Sequence, residues 1–596
     1  DFIGMDRFEA REVILEVLDE MKLLEKKDPY KISAGHCYRC HTIIEPRISL
    51  QWFVKMKPLA KRAIKAVKTD EIKFYPQRWK KVYLNWMNNI HDWCISRQIW
   101  WGHRLPVYYC KKCQDNNDSD INTDFQDKPT EFSKQGIIVS KTKPEKCPDC
   151  GSENIVQEED VLDTWFSSWL WPFATFYWPF NMTESKDLEQ NKTYQEELNY
   201  FLPTSCLVTA SEILFFWVAR MIMASLEFTD KIPFKDVIIH GTVRDDKGIK
   251  MSKSLGNTID PLEIIDKFGA DALRFSLMLQ AASGSDVYLS DEKFLVGRNF
   301  SNKVWNATRF IFMKISDNDI TIDNLEFTKV KGIDKFILNE LDQTIEQIEN
   351  YLNNYSLNEA AKKIYDFFWH MFCDWYIEII KDNFTIDKAK ISVYVLINSL
   401  KLLHPFMPFI TEEIFNSIKT NTNLNLDELL IISSWPVKSN IEDIDSEIKE
   451  ITTLLSTIKE IRNIKTELGL AQKKVDLHVV IKGDLLQLWE YNKSWIQRLT
   501  YTQNIIFKNK LDKVLYENDF WALSLGIESV DMSSFLLSID KKIDILDTVL
   551  SKVIKKINNE KFLKNASKDI IAKEKTKFND MSNQLNRLKE LKNAFN

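Results

Sequence analysis

No stretch of the 596 residues is apolar for long enough to cross a bilayer. The longest apolar run, residues 213–219, stops at Arg220, whereas a spanning helix needs about 20 such residues. Neither sign of charge prevails. The chain has 80 Lys and Arg against 86 Asp and Glu, a net charge of -6. Any nucleic acid must therefore be met by local basic faces, not by a global field. The opening residues, DFIGMDRFEAREVILEVL, lack the basic start and apolar centre of a secretory signal and read as a loop and an amphipathic helix. They begin at Asp1 in mid-pattern, so the chain is expected to be a segment of a longer protein. Cysteine is scarce, with nine in all, six of them in Cys-x-x-Cys pairs. That usage points to a reducing compartment, the cytoplasm, and to metal ligation in place of disulfides.

What is present is the composition of a globular protein, 44% hydrophobic and 28% charged. At about 100–200 residues per domain, the length predicts three to five units. Residues 1–30 hold one helix, from Arg7 to about Leu24. Residues 31–110 are rich in Trp and basic residues, and residues 111–159 are polar and bracketed by Cys pairs. Residues 160–295 alternate apolar runs with helical patterns, which predicts parallel strands and crossover helices: a strand at 204–209, a helix at 213–226 and a strand at 237–240. From Gly297 to about Trp435 the pattern is helical, with amphipathic stretches at 329–355, 357–381 and 392–403, and predicts a bundle. Residues 437–445 read as a linker. A helix follows from about 447 to 468, capped by Ser446 and closed by Gly469, then a strand at 475–481.

In the tail, Ile543, Leu546, Leu550, Val553 and Ile557 are spaced 3, 4, 3, 4, and Phe578, Met581, Leu585 and Leu588 repeat the spacing. With Asn565 or Ser567 as N-cap of the second helix, this predicts an antiparallel coiled-coil hairpin over 539–596. A helix pair packed on the main body is the alternative.

Cys110-Lys-Lys-Cys113 and Cys147-Pro-Asp-Cys150 are two knuckles separated by 33 residues. Four thiolates in this spacing suit tetrahedral Zn²⁺, in a structural role because four Cys leave no open position. Two pairs of buried thiols without metal are the alternative. Cys37 and Cys40 form a third knuckle, either half of a second metal site or reduced thiols in a local turn.

The string HGTVRDDKGIKMSKSLGNTIDP runs from His240 to Pro261. Its core, Lys250-Met-Ser252-Lys253-Ser254, places two ammonium groups and several backbone N–H groups on a loop between a strand and a helix, suited to a triphosphate. The stretch from Asp236 to Pro261 resembles the ATP-binding signature loop of the class I aminoacyl-tRNA synthetases. The resemblance extends over nearly the whole chain and is strongest to the valyl members.

The resemblance implies an α/β fold: the second half of a Rossmann-type catalytic domain (residues 31–295) with a zinc ribbon at 110–150, preceded by the end of an editing domain (1–30). It further implies a helical anticodon-binding bundle (296–437), a small mixed α/β connection (438–538) and a coiled-coil tRNA-binding arm (539–596). Lys250 and Lys253 would stabilise the leaving pyrophosphate, and Ser252, Ser254, His240, Gly241 and Glu212 would surround ATP and its Mg²⁺. The segment Val208-Thr-Ala210-Ser-Glu212 stands where the family reads Thr-Gly-x-Asp, with the acid on the ATP ribose. Ala210 in place of Gly requires φ below zero. Trp165, Asp163 and Trp217 would line the amino-acid pocket, although core packing competes for Trp217. Thr164, Ser167 and Ser168 favour valine over isoleucine. Arg97, Arg104 and the pair Trp100-Trp101 would meet the tRNA acceptor end or stack on one another. The tail lysines Lys552, Lys555, Lys556, Lys561 and Lys564 would meet tRNA phosphates or serve as solvated flanks.

The implied activity is ATP-dependent ligation of valine to tRNA(Val) through a valyl-adenylate, by a monomer that does not bind membranes. An isoleucyl-type enzyme and a non-enzymatic tRNA-binding module are the rivals. A pocket alone separates valine from threonine by only about 100-fold, so editing is expected in the intact protein. The family's second ATP motif, His-x-Gly-His, is nowhere in the chain, so this chain alone is expected to be inactive.

Overall fold

The computed structural model describes residues 2–31, 33–37, 40–45, 48–115, 132–134, 136–179, 188–252, 255–282, 284–326, 330–439, 445–483, 485–526, 532–559 and 568–595. It divides into two units, one of Asp1–Lys65, Asn85–Tyr200 and Trp217–Pro233, the other of Ala66–Leu84, Phe201–Phe216 and Phe234–Asn596.

The first unit is made of short antiparallel ribbons and small helices. Its opening helix, Arg7–Glu20, starts where the Asp6 side chain accepts from Phe8 N, satisfying one of the orphan donors of a first turn. The helix stops short of the expected Leu24, because Lys22 turns left-handed at φ 55° and Leu23 N and Leu24 N both fall back on Leu18 O. A four-stranded antiparallel sheet has the order Phe132–Lys134, Ile137–Val139, Val107–Cys110, Ile155–Gln157, and the two Cys knuckles flank it. The ribbon of Ser96–Arg97 with Val161–Leu162 leads into the helix Thr164–Ser168.

The second unit holds a parallel sheet in the order Thr204–Ala210, Phe234–His240, Lys73–Tyr75. Val237 and Ile239 are buried in it. Both long strands exceed the runs expected from sequence, the second by three residues at its start. The helix expected at 213–226 is not one regular helix. A 3₁₀ turn (Ser211–Ile213) and a π turn (Leu214–Val218) precede the α-helix Ala219–Thr229, which belongs to the first unit.

Beyond the sheet, helices Asp291–Asp317, Ile333–Asn353, Leu357–Asp366, Ile386–Leu403 and Pro408–Asn421 share a core that includes Phe300, Ile337, Leu341, Phe368 and Leu400. The third continues as π turns through Phe367–Ile377. The fourth begins six residues before the expected Ser392, at a cap in which Thr385 accepts from Lys388 N. The helix Asp445–Glu467 already contains Ser446, which is therefore not its cap. Gly469, at φ 67°, closes that helix as expected and lets Leu470 N reach Lys465 O at 2.6 Å.

A second, four-stranded sheet follows in the order Thr502–Phe507, Val475–Ile481, Trp521–Leu525, Tyr516–Glu517. The chain closes with the helices Met532–Ile557 and Lys568–Phe595. Ion pairs Lys556–Glu574 (2.5 Å) and Lys592–Asp540 (2.6 Å) set them antiparallel, with Leu550, Val553, Leu585 and Leu588 buried between or beneath them. Asn565 and Ser567, the cap candidates, lie outside the described residues. Among the described residues no helix is long and apolar enough to cross a membrane.

Candidate functional site

The register Ala210↔His240 brings the carboxyl ends of two parallel strands side by side, the place where open α/β sheets bind ligands. Gly241 comes next, and a Cβ there would lie 1.8 Å from Ser285 O, so only glycine fits. His240 is exposed, with its Nδ1 2.8 Å from Gly241 O. The strand Val243–Arg244 then pairs with Val287–Tyr288, and Arg244 bridges to Lys250 across a turn. Within that turn the Asp245 carboxylate accepts from Ile249 N (2.7 Å), Lys247 N (3.1 Å) and Asn257 Nδ2 (3.0 Å). The other end of the Asn257 amide accepts from Ser252 N at 3.0 Å. One side chain thus ties both limbs of the loop. These donors, the Asn257 amide first, hold the Asp245 carboxyl below the usual range. Asp286 is held low in the same way, by Thr242 N and then by Arg244.

Lys250 reaches across to Glu212. Its Nζ donates to both carboxylate oxygens, at 2.7 and 2.6 Å, and both side chains are about half exposed, 52% and 50%. Glu212 sits in the 3₁₀ turn that follows Ala210, whose φ of -79° and ψ of 149° are ordinary extended values. The alanine in this turn therefore carries no backbone strain. Lys253 and Ser254 lie outside the described residues. Asp245, Asn257, Asp286 and Arg244 join the site only in the structure. Their signal in sequence is turn chemistry, Asp and Asn at loop positions where they bond nearby backbone.

The residues expected around the amino acid lie in the first unit. Asp163 is 5% exposed. Its Oδ1 accepts from Trp165 N at 3.1 Å, and its Oδ2 accepts from Trp93 Nε1 at 2.9 Å and Arg97 Nη2 at 2.6 Å. The carboxylate is engaged within the protein and fixes the start of the helix that carries Trp165. Arg220, also buried, lies 3.6 Å over the Trp93 ring and 3.8 Å from Asp163. Burial brings its guanidinium down to about 10. Trp217 Nε1 donates to Ser168 O at 3.0 Å, so Trp217 meets the far end of the helix Thr164–Ser168 that carries Trp165. Arg97 also donates to Cys94 O and Ser96 O, and Arg104 to Glu158 O. Trp100 and Trp101 are exposed.

The four Sγ atoms of Cys110, Cys113, Cys147 and Cys150 lie within 4.8 Å of one another, with Cys110–Cys150 at 3.5 Å and Cys113–Cys147 at 3.9 Å. Sulfurs about 2.3 Å from a shared tetrahedral Zn²⁺ stand roughly 3.8 Å apart, so the spacing fits that ion. Gly136, at φ 76°, passes so close that a Cβ would lie 2.4 Å from Cys113 Cβ. His41 N, next to Cys40, donates to Cys37 O. Cys37 and Cys40 join no cluster of three ligand residues among those described.

Residues 15–290 match the family model for class I tRNA synthetases (I, L, M and V), residues 334–481 the anticodon-binding domain of tRNA ligases, and residues 538–593 the valyl-tRNA synthetase tRNA-binding arm. The chain is 42% identical over 605 residues to a valine–tRNA ligase of Thermotoga maritima and 43% identical over 601 residues to one of Fervidobacterium nodosum. Each alignment covers 99% of this chain and 64% of the relative. A Treponema denticola valine–tRNA ligase is 40% identical, with 98% of this chain and 63% of the relative covered. The chain thus spans somewhat less than two thirds of the length of the relatives it matches.

Proposed function

We propose that this chain, which matches class I tRNA synthetases and valine–tRNA ligases, belongs to the valyl-tRNA synthetase family and takes part in joining valine to tRNA(Val) at the expense of ATP. In this reading the valine carboxylate attacks the α-phosphate of ATP, pyrophosphate leaves, and the valyl group passes from the adenylate to the tRNA. The observation that carries the reading is the loop at the carboxyl ends of the parallel strands, where Lys250 stands beside Glu212. Lys250, with Lys253, meets the charge that grows on the departing pyrophosphate, a kind of stabilisation commonly worth about 3–4 kcal/mol. His240, Gly241, Ser252 and Ser254 complete the nucleotide side of the site, and Mg²⁺ accompanies ATP.

Trp165 and Trp217, linked through the helix Thr164–Ser168, flank the apolar side chain of the amino acid. Asp163 positions that helix. The bundle of residues 296–437 and the arm of residues 539–596 meet the tRNA. Cys110, Cys113, Cys147 and Cys150 hold a structural Zn²⁺, in the reducing setting of the cytoplasm. Cys37 and Cys40 are either half of a second metal site or a pair of reduced thiols.

The test is valine-dependent pyrophosphate exchange by the intact protein, with isoleucine in parallel. Valine is expected to support exchange and isoleucine to be poor. Lys253→Ala should lower the rate constant more than it raises the ATP Michaelis constant, since its partner charge is largest in the transition state. Faster exchange with isoleucine would assign the isoleucyl reading. Binding of tRNA(Val) with no exchange in the intact protein would leave a tRNA-binding module.

A further inference from the structure

The contact between Lys250 and Glu212 carries an inference that deepens the reading of the loop as a polyphosphate site, and it rests on that reading. An acid on the nucleotide ribose and a cation on the phosphates would each face the ligand. In the structure they face each other, with both carboxylate oxygens on one ammonium group. An ammonium has three N–H donors, and two of them are directed at Glu212. A phosphate oxygen arriving at Lys250 competes with a carboxylate of like charge for the same donors.

We infer that Glu212 is a latch: a positioning residue that holds the Lys250 side chain in a resting place until a polyphosphate draws it away. Two features fit a latch better than a structural brace. The pair is half exposed on both sides, and exposed ion pairs are weak enough to be exchanged for a more highly charged partner. The loop also does not depend on the pair for its shape. Asn257 ties Ser252 N to Asp245, and Asp245 holds Lys247 N and Ile249 N. Just before the neighbouring strand Val287–Tyr288, Asp286 holds Thr242 N and Arg244. Lys250 can therefore exchange partners while its backbone stays in place.

The latch predicts the opposite sign from a ribose contact. Glu212→Gln should bind inorganic pyrophosphate, which has no ribose, roughly two- to fivefold more tightly than the wild-type chain, the range an exposed pair can supply. Adenosine, which has no phosphate, should bind both alike. Phosphorus NMR titration of pyrophosphate and calorimetric titration of adenosine, on the full chain at one salt concentration, give the two readouts. Glu212→Asp, one methylene shorter, should also tighten pyrophosphate binding, because its carboxylate falls short of Lys250. Equal pyrophosphate affinity in wild type and Glu212→Gln overturns the latch, as does a loss of adenosine affinity with pyrophosphate unchanged. Pyrophosphate binding that is absent, or indifferent to Lys250→Ala, overturns the polyphosphate reading of the loop itself, and the latch with it.

Discussion

Single polar side chains, more than burial, hold the functional parts of this chain in shape. Asn257 closes the signature loop with one amide, and four sulfurs close the sheet around Val107–Cys110. For the sulfurs the consequence is measurable. The purified chain should carry one equivalent of zinc, and Cys147→Ser should lower the zinc content and loosen that sheet, since a structural site supplies folding energy outright. Metal analysis with the variant at unchanged zinc would remove the assignment.

Residues of this kind are unevenly legible in sequence. Spacing alone brings the four Cys together, because two knuckles at that interval have one common way to share an ion. Lys250 and Glu212 each read as facing ATP, and nothing in the sequence says that they face each other. Asp163 reads as lining a pocket, whereas its oxygens are filled by Trp165 N, Trp93 and Arg97. Partners 66 and 70 residues away leave no local pattern. That Ala210 fits its turn without strain follows from its dihedral angles, quantities that an isolated sequence does not contain.

Among the elements, the antiparallel tail helices show what periodicity can and cannot reveal. The 3, 4 spacing of Ile543 to Ile557 names a narrow seam, and Leu550 and Leu585 are 7% and 5% exposed. Placing a carboxylate in that seam, as in Leu550→Asp, buries a charge without a partner and should cost several kcal/mol, about 3–5 by analogy with broken buried pairs. Circular dichroism of the variant should show diminished helicity and a lower melting temperature. Unchanged helicity would mean that the seam does not hold the pair. Periodicity fails where nearly every position is apolar. Residues 214–218 (LFFWV) give no polar face by which to count residues per turn, and in 367–377 (FFWHMFCDWYI) the one polar pair, His370 and Asp374, is spaced four apart as on an α-helical face, so the π turns of both stretches cannot be told from α-helix. Helix ends move for local reasons: Thr385 begins a helix six residues early, and Lys22 ends one early.

For the molecule as a whole, the net charge of -6 is compatible with tRNA binding only if cations gather locally, and the tail is where this can be tested. Lys552 and Lys555 are exposed on the first tail helix, whereas Lys556 is paired with Glu574 at 2.5 Å and has less charge to offer. Replacing Lys552 and Lys555 together by Ala should weaken tRNA(Val) binding at low salt and flatten its salt dependence. Every phosphate that a lysine no longer neutralises takes roughly 0.7–0.9 from the slope of log affinity against log salt, so the pair should remove about 1–2. The deficit should fade as salt rises, because screening already weakens the wild-type ion pairing. Lys556→Ala alone should change the slope less than either of the other lysines. Pyrophosphate binding at the signature loop should be unaffected by all three changes, since that loop is held by its own bonds to Asn257 and Asp245. Filter binding of tRNA(Val) across a salt series measures the slope. A double variant with the wild-type slope would return these lysines to ordinary solvated flanks of a helix pair. A variant whose affinity falls equally at every salt concentration would show that the tail meets tRNA by means other than charge.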